Sequence, residues 1–393
     1  MKDKGYELTI KAAFTGYIVQ AIVNNFLPLL FVSMQDEYGI PLSRMTFLIT
    51  LNFGIQLFID LCSAPVIERI GYRASMIISN ACVIAGLILL SFLPDTVPSP
   101  FFGAAAAVCI YAVGGGLQEV LVSPIVEACP TRNKEAAMSL LHSFYCWGHV
   151  GVVLLSTLFF GVFGIENRRI LTLLWCLVPA ADLILFTFVP IASLPGEGKG
   201  EKGGIKALFS QKLFPVMLLM MLCAGASEQA VSQWASAFAE KGLGVSKQMG
   251  DLLGPMLFAV CMGTSRTIYG IKGHRIDLKK FMYSSVVLCI LSYIVITAVK
   301  DPIVTLLGCG LAGFSVGIFW PGAFSMASSD IKNGGTLMFA LLALAGDLGC
   351  GGGPALAGGA MSVFGGNMRA GIGTAVLFPV LMGLALLIRE KRH

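Results

Sequence analysis

The stretch ASLPGEGKGEKGGIKALFSQK, residues 192–212, decides how the chain is organised. It is the widest polar break in an otherwise apolar sequence, and its glycines and lysines are typical of a flexible linker. Six apolar segments precede it and six follow it. The sequence therefore predicts an N-terminal six-helix bundle at residues 1–191, a cytoplasmic linker at 192–212 and a C-terminal six-helix bundle at 213–393.

The composition places these bundles in a membrane. Of the 393 residues 56% are hydrophobic and 12% are charged, so a water-soluble domain would lack the polar surface to cover its core. A helix of about 20 apolar residues crosses a bilayer, and the segments lack the alternation of a β-barrel. We predict an all-α membrane protein with twelve transmembrane helices near residues 12–33, 45–67, 74–93, 101–128, 136–163, 170–192, 213–239, 250–271, 280–299, 303–328, 335–362 and 370–388.

The placement of lysine and arginine sets the expected orientation. If both termini are cytoplasmic, inner segments hold 20 of the 27 Lys and Arg residues and outer segments hold 7, as the positive-inside rule requires. The net charge of +5 is then a topology signal and does not indicate a nucleic-acid surface. The first span follows Lys2, Lys4 and Lys11 without a small-residue cleavage site, so we expect it to remain in a bacterial inner membrane.

No sequence motif indicates chemistry on a cofactor. The eleven cysteines are scattered singly through the spans, without the spacing of metal ligands. The sequence has no nucleotide-binding loop and no nucleophile motif, and the loops between spans are too short for a separate soluble domain. We therefore predict no metal, no cofactor and no enzyme activity.

The two halves of the chain repeat each other. Matching residues recur at offsets of 197, 197 and 201: Arg69 with Arg266, Pro124 with Pro321, and Arg168 with Arg369. The first pair ends the second and eighth predicted spans, and the second pair interrupts the fourth and tenth. The pattern indicates a duplicated six-helix unit.

Such a duplication is the design of major facilitator transporters, and a loop motif agrees with it. APVIERIGYR, residues 64–73, resembles the superfamily signature G-x-x-x-D-R-x-G-R, with Glu68 in place of the aspartate. The resemblance implies two pseudo-symmetric bundles with the substrate site between them near the midplane. It also implies a gating role for Glu68, Arg69 and Arg73, to which we add Arg266.

Other stretches resemble the fucose:galactose:glucose proton symporters of that superfamily and related sugar carriers: VNNFLPLLF at 23–31, LLHSFYCWGHVG at 140–151, GASEQAVSQW at 225–234 and LAGFSVGIFWPGAFSMA at 311–327. The fourth span adds Glu119, followed four residues later by the small polar Ser123 and then by Pro124. The resemblance implies a proton-coupled sugar importer with Asn24 and Asn25 beside the sugar. One position departs from it, because Pro28 stands where the fucose-type first helix carries an aspartate.

Three acids inside the spans are candidates for proton coupling. Ionisable residues in membrane helices are rare and usually face a cavity or a partner. Glu119 follows three glycines in GGGLQEVLVSP, residues 114–124, where a carboxyl group can hold a proton in one conformation and release it in another. We assign the same role to Glu228 and Asp347. The alternative for each is a structural carboxylate bonded to a neighbouring helix.

Polar and aromatic side chains within the spans form the predicted substrate site. Helical spacing places Glu228, Gln229 and Gln233 on one polar face of the seventh span. It also places His142 and Tyr145 on one stripe of the fifth. The full set predicted to bind substrate is Asn24, Asn25, Gln118, Glu119, His142, Tyr145, Glu228, Gln229, Gln233, Trp234, Phe319 and Trp320. The alternative is that these groups only hold helices together.

Charge restricts the class of substrate. The predicted bundle core holds no Lys or Arg, since the nearest, Arg266, is placed at the cytoplasmic end of its span, and a buried anion would need such a charge. The sequence thus favours a neutral solute, above all a sugar, imported with protons across the lipid bilayer by a monomer. Two alternatives stay open. One is a proton-coupled exporter of lipophilic cations or drugs, and the other is a receptor or scaffold that moves no solute and would not need Glu119.

Overall fold

The computed structural model describes residues 5–30, 34, 37–40, 42–192, 204–238 and 252–392. Within them the chain folds into twelve apolar helices and no β-strand. The helices are α1 Tyr6–Asn25, α2 Leu42–Cys62, α3 Ala64–Thr96, α4 Pro100–Ala128, α5 Lys134–Phe163, α6 Ile165–Phe188, α7 Phe214–Ala237, α8 Leu257–Lys272, α9 Leu278–Ala298, α10 Pro302–Asp330, α11 Gly335–Val363 and α12 Met368–Arg392. The predicted all-α fold with twelve membrane helices is confirmed.

Most of the helices have about the expected length, and several boundaries differ, such as the end of α2 at Cys62. Ten are long and apolar enough to cross a bilayer, while α2 has a shorter apolar part at Phe47–Cys62 and α8 has 16 residues. The break predicted between the second and third spans at residues 68–73 is observed at Gly71, although α3 as a whole already begins at Ala64 with a proline in its first turn. Gly71, at φ 81°, kinks this helix.

Three helices are broken inside the membrane-spanning region. The breaks lie at residue 176 in α6, at 317–318 in α10 and at 375–376 in α12. Proline accounts for the break in α10, because Pro321 has no N–H to donate to the Gly317 carbonyl four residues earlier. In a membrane such a carbonyl must accept a hydrogen bond from another donor. We therefore expect polar side chains near a break in a membrane helix.

The chain divides into two compact units. The first comprises residues 1–131 and 147–198, and the second comprises 132–146 and 199–393. Helices α1–α4, α6 and most of α5 therefore belong to the first unit, and α7–α12 with the beginning of α5 belong to the second. The linker predicted at 192–212 lies partly outside the described residues, and the domain boundaries taken from the sequence stay a prediction.

A run of glycines places α4 at the centre of the first unit. A Cβ atom added at Gly114, Gly115 or Gly116 would lie 2.5, 2.7 or 2.9 Å from atoms of α3, α1 and α2, respectively. Only residues without a side chain allow three neighbouring helices to approach α4 this closely. This close packing brings Glu119, on the same helix, near side chains of the neighbouring helices.

In the second unit α7 and α11 pack backbone against backbone. A Cβ atom added at Gly225, Gly349 or Gly353 would lie 2.1, 2.0 or 2.4 Å from a carbonyl oxygen of the facing helix. The stretch GCGGGP at 349–354 therefore serves to bring α11 close to α7. This contact holds the polar face of α7 in a fixed position relative to α11.

We expect Gly349→Ala to destabilise the protein by about 1–3 kcal/mol, the usual cost of overpacking. The added methyl group would collide with the Leu222 carbonyl oxygen, 2.0 Å away. Gly352 offers a matched control three positions along the same helix, since a Cβ atom there meets nothing within 4 Å. Gly352→Ala should be neutral or stabilising by about 0.5–1 kcal/mol, because alanine favours helix over glycine. Thermal unfolding of the purified variants measures both effects, and equal unfolding temperatures would contradict the backbone contact.

Candidate functional site

A row of polar side chains lines three helices of the first unit. It consists of Tyr17, Gln20 and Asn24 on α1, Asn52, Gln56 and Asp60 on α2, and Glu119 and Ser123 on α4. Within each helix the members are three or four residues apart, so they share one face. We call these eight side chains the polar row.

Glu119 is the acidic group of this row on α4. It is half-buried, and its Oε2 accepts a hydrogen bond of 2.6 Å from Gln20 Nε2. One turn further along α4, the hydroxyl groups of Ser123 and Tyr17 lie 3.0 Å apart. The carboxyl group therefore contacts α1 through a hydrogen-bonding side chain, and it remains partly accessible.

Asn24 joins α1 to α2 within the row. Its Oδ1 accepts hydrogen bonds from Gln56 Nε2 at 2.7 Å and from Asn52 Nδ2 at 3.1 Å. The neighbouring Asn25 behaves differently, because its Nδ2 donates to the Ala21 carbonyl of its own helix at 2.9 Å. The structure thus brings Asn24 but not Asn25 into the hydrogen-bond network. The sequence reasoning missed Asn52 and Gln56, although their spacing of four residues within an apolar span is a usable signal.

Gln118 lies apart from the polar row. Its side chain is fully buried and donates to Asn80 Oδ1 at 3.1 Å and, more weakly, towards Asp182 Oδ2 at 3.5 Å. Asn80 Nδ2 also donates to Asp182 Oδ2 at 2.8 Å. Adjacent residues of a helix point about 100° apart, so Gln118 ties α4 to α3 and α6 while Glu119 faces α1. The substrate role predicted for Gln118 stays a prediction, and its observed contacts hold three helices together.

In the second unit, the structure corrects the position of Arg266. It lies six residues before the end of α8, is only 3% exposed, and forms an ion pair with Glu228 of α7 at 3.2 Å. The expectation that no Lys or Arg reaches the bundle core is therefore wrong. It failed because the span was drawn to end near residue 271, whereas the side chain of Arg266 turns inward among α7, α10 and the start of α5. Arg69, its match in the repeat, is exposed in α3, so these two arginines are not equivalent.

The break in α10 explains why an arginine is held there. Arg266 Nε donates to the Gly317 carbonyl at 2.8 Å, the same carbonyl that Pro321 leaves without an N–H donor. A second guanidinium nitrogen donates to the His142 carbonyl at 3.2 Å. One guanidinium group thus donates a hydrogen bond to the carbonyl left free at the helix break and also neutralises a buried carboxylate.

Glu228 begins a chain of hydrogen bonds along α7. Its Oε1 accepts from Gln229 Nε2 at 3.2 Å, and Gln229 Oε1 accepts from Gln233 Nε2 at 3.1 Å. Glu228 is buried, Gln229 is half-buried and Gln233 is exposed. The structure brings together these three predicted residues, whereas Trp234 donates its Nε1 proton to the Pro354 carbonyl of α11 at 3.2 Å.

Two of the predicted aromatic residues in the second unit, His142 and Trp320, pack against the ring of Phe324. The His142 ring stacks on Phe324 at 5.7 Å, and Trp320 meets the same ring edge-on at 6.2 Å. Phe319 is fully buried and Trp320 is 8% exposed. Tyr145 and Asp347 are half-buried. The roles predicted for these residues stay predictions, and Phe319 is the least accessible of them.

The residues predicted to gate the transporter differ in their contacts. Glu68 and Arg69 are exposed at the start of α3, and within the described part of the chain neither makes a hydrogen bond or an ion pair. Arg73 donates to the carbonyls of Phe186, Thr187 and Val189 at 2.7–2.8 Å. These are the last carbonyl groups of α6, so Arg73 caps that helix. The gating role of all three stays a prediction.

The repeated arginines at offset 201 occupy matching positions. Arg168, at the start of α6, donates to Glu37 Oε2 at 2.8 and 3.0 Å and contacts Tyr38. Burial and a 2.5 Å hydrogen bond to Asp95 raise the pKa of Tyr38 to about 12, so this phenol stays neutral. Arg369, in the first turn of α12, donates to carbonyl groups at the end of α9. Each arginine therefore anchors the beginning of the last helix of its half.

Comparison with known proteins agrees with this architecture. The E. coli fucose:proton symporter matches with a TM-score of 0.84 and 13% identity over 98% of this chain and 99% of that chain. The proton:xylose symporter bound to 6-bromo-6-deoxy-D-glucose matches with a TM-score of 0.83 and 13% identity over 100% and 96%. A human organic anion transporter matches with a TM-score of 0.74 and 17% identity over 97% and 99%.

At these identities the likeness shows the fold alone. A search of curated proteins by sequence found no significant match. The sequence profile of the Major Facilitator Superfamily, however, matches residues 13–354, which is most of the chain. The chain belongs to the Major Facilitator Superfamily, and it is an integral membrane transporter and not an enzyme.

Proposed function

We propose that the protein imports a small neutral polar solute, a sugar, together with protons by alternating access. The observation that carries this proposal is the polar row of the first unit. Its amide groups supply both donors and acceptors, which a polyhydroxylated ligand requires. Gln20 already donates a hydrogen bond to Glu119, and Gln56 donates one to Asn24. A bound sugar would replace such hydrogen bonds with its own.

The balance of charge in the second unit supports a neutral solute. Arg266 is buried, but Glu228 offsets its charge at 3.2 Å. An anionic substrate would have to compete with Glu228 for the guanidinium, and a cationic substrate would have to compete with Arg266 for the carboxylate. The pair therefore disfavours anions, and it also weakens the alternative of an exporter of lipophilic cations.

Glu119 is the residue to which we assign proton coupling. It is half-buried, and its Oε2 accepts a hydrogen bond from the neutral side chain of Gln20. A partly buried carboxyl group can hold a proton in one conformation and release it to water in another. Pro28 replaces the aspartate of the fucose-type first helix, so Glu119 would carry this role without that second acid. The coupling roles of Glu228 and Asp347 are secondary, since Glu228 is held by Arg266.

The cellular setting follows from the same proposal. A monomer would lie in a bacterial inner membrane with both termini in the cytoplasm, as the distribution of Lys and Arg favours.

Reconstitution into proteoliposomes tests the function. A thermal-shift screen with neutral monosaccharides, amines and organic acids first identifies the ligand, because binding stabilises the folded state. We expect a neutral sugar to raise the unfolding temperature. An inward proton gradient of about one pH unit should then drive uptake of that sugar to about tenfold accumulation, and collapsing the gradient should abolish it. Stabilisation by amines alone, or uptake that ignores the gradient, would contradict the proposal.

A further inference from the structure

A surface pocket lies where three helices of the second unit end. It has a volume of about 410 Å³ and is lined by Gln211, Lys212, Leu213, Asp330, Ile331 and Arg392. These residues come from the segment before α7, the end of α10 and the end of α12. The pocket therefore sits at the level of the helix ends and outside the polar face of α7.

Side-chain contacts hold the walls of this pocket in place. Gln211 bonds the backbone of Lys332 twice, donating to its carbonyl and accepting from its N–H, both at 3.1 Å. Arg392 donates to the Lys212 carbonyl at 2.8 Å. These hydrogen bonds connect the three chain segments, so the protein's own contacts hold the pocket in shape.

The charge of the pocket is positive. Its one acidic lining residue, Asp330, is neutralised by Arg389, which donates to both carboxylate oxygens at 2.6 and 2.9 Å. That leaves the ammonium group of Lys212 and the guanidinium of Arg392. Arg392 uses one nitrogen on a backbone carbonyl, and within the described residues neither side chain has an acidic partner. Two cationic residues thus line the pocket without an acidic partner among the residues that the structure describes.

Exposed apolar side chains lie on the segment that leads into the pocket. The short helix Gly204–Ser210 leads into Gln211, and its Ile205 and Phe209 are 52% and 49% exposed. Phe209 packs edge-on against Phe214 of α7 at 5.3 Å, which fixes the short helix beside the start of α7. Exposed apolar groups next to cations are typical of a segment lying at the membrane surface.

We propose that this pocket binds the phosphate headgroup of an anionic phospholipid. Phosphate oxygens accept hydrogen bonds from Lys and Arg, and basic pockets between membrane helices on the cytoplasmic side are a recognised form of lipid binding. The orientation inferred from the Lys and Arg distribution places these helix ends in the cytoplasmic leaflet. The adjacent apolar surface distinguishes a lipid from a free phosphate ion as the occupant.

The test is binding of short-chain phosphatidylglycerol to the purified full-length protein, followed by native mass spectrometry. In Lys212→Gln/Arg392→Gln we expect the affinity to fall about 25-fold, since each cation near a membrane surface is worth about a fivefold change. Lys272→Gln/Arg275→Gln is the matched control, because it removes two exposed cations at the same end of the second unit but outside the pocket. Its affinity should change by less than about threefold.

Two further measurements keep the outcome decisive. Inorganic phosphate at the same concentrations should not displace the lipid; complete displacement would mean that the site takes a free anion and would overturn the lipid assignment. Equal lipid affinity in the pocket variant and the wild type would overturn the site itself. If the double variant unfolds at a lower temperature without lipid, Lys212→Gln alone carries the test, because the Arg392 bond uses only the backbone of Lys212.

Discussion

Replacing Glu119 with glutamine should abolish proton-driven accumulation of the sugar while leaving sugar exchange across the membrane intact. Glutamine keeps an oxygen that can accept the hydrogen bond from Gln20, now 2.6 Å long, but it cannot take up or release a proton. A gradient of one pH unit, worth about 1.4 kcal/mol or about tenfold accumulation, would then no longer be used. Counterflow of labelled sugar in proteoliposomes without a gradient measures exchange, and uptake with a gradient measures accumulation.

Glu166→Gln is the matched control for this experiment. Glu166 is an exposed glutamate in the first turn of α6, and the substitution makes the same change in charge. This variant should accumulate sugar as the wild type does. Full concentrative uptake by Glu119→Gln would remove Glu119 from coupling, and loss of both uptake and exchange would assign it to sugar binding.

Replacing Arg266 with methionine should destabilise the protein by about 3–5 kcal/mol, the usual cost of removing one partner of a buried ion pair. The change leaves the carboxylate of Glu228, which is 9% exposed, without a counter-charge. It also removes the donors to the carbonyls of Gly317 and His142. Thermal or denaturant unfolding of the purified protein measures the loss.

A double variant separates the two contributions. In Arg266→Met/Glu228→Gln the unpaired charge is gone, so we expect part of the stability to return while the deficit at the two carbonyls remains. Arg275 is exposed and lies shortly after the end of α8, so it is a control for Arg266. Arg275→Met should change the free energy of unfolding by no more than about 0.5 kcal/mol. A double variant as unstable as Arg266→Met alone would show that the charge of Glu228 does not cause the loss.

Gln118 and Glu119 show which properties of a side chain can be predicted from the sequence and which cannot. Both are adjacent polar residues after a glycine run, and the sequence predicts that both bind substrate. In the structure Gln118 turns to Asn80 and Asp182, whereas Glu119 turns to Gln20. Periodicity gives the angle between two side chains on one helix, but which neighbouring helix each angle meets depends on the packing of the bundle.

The sequence by itself determined that this chain crosses the membrane as twelve helices. Hydrophobic length and charge placement are properties of a single segment and need no partner, and the internal repetition can be read directly from the sequence. Tertiary structure alone decided that Arg266 lies in the core, that it satisfies the carbonyl freed by Pro321, and that Asn52 and Gln56 meet Asn24. These contacts join segments distant in the chain, and they form because buried polar groups in a bilayer must find partners on whichever helix packing brings near.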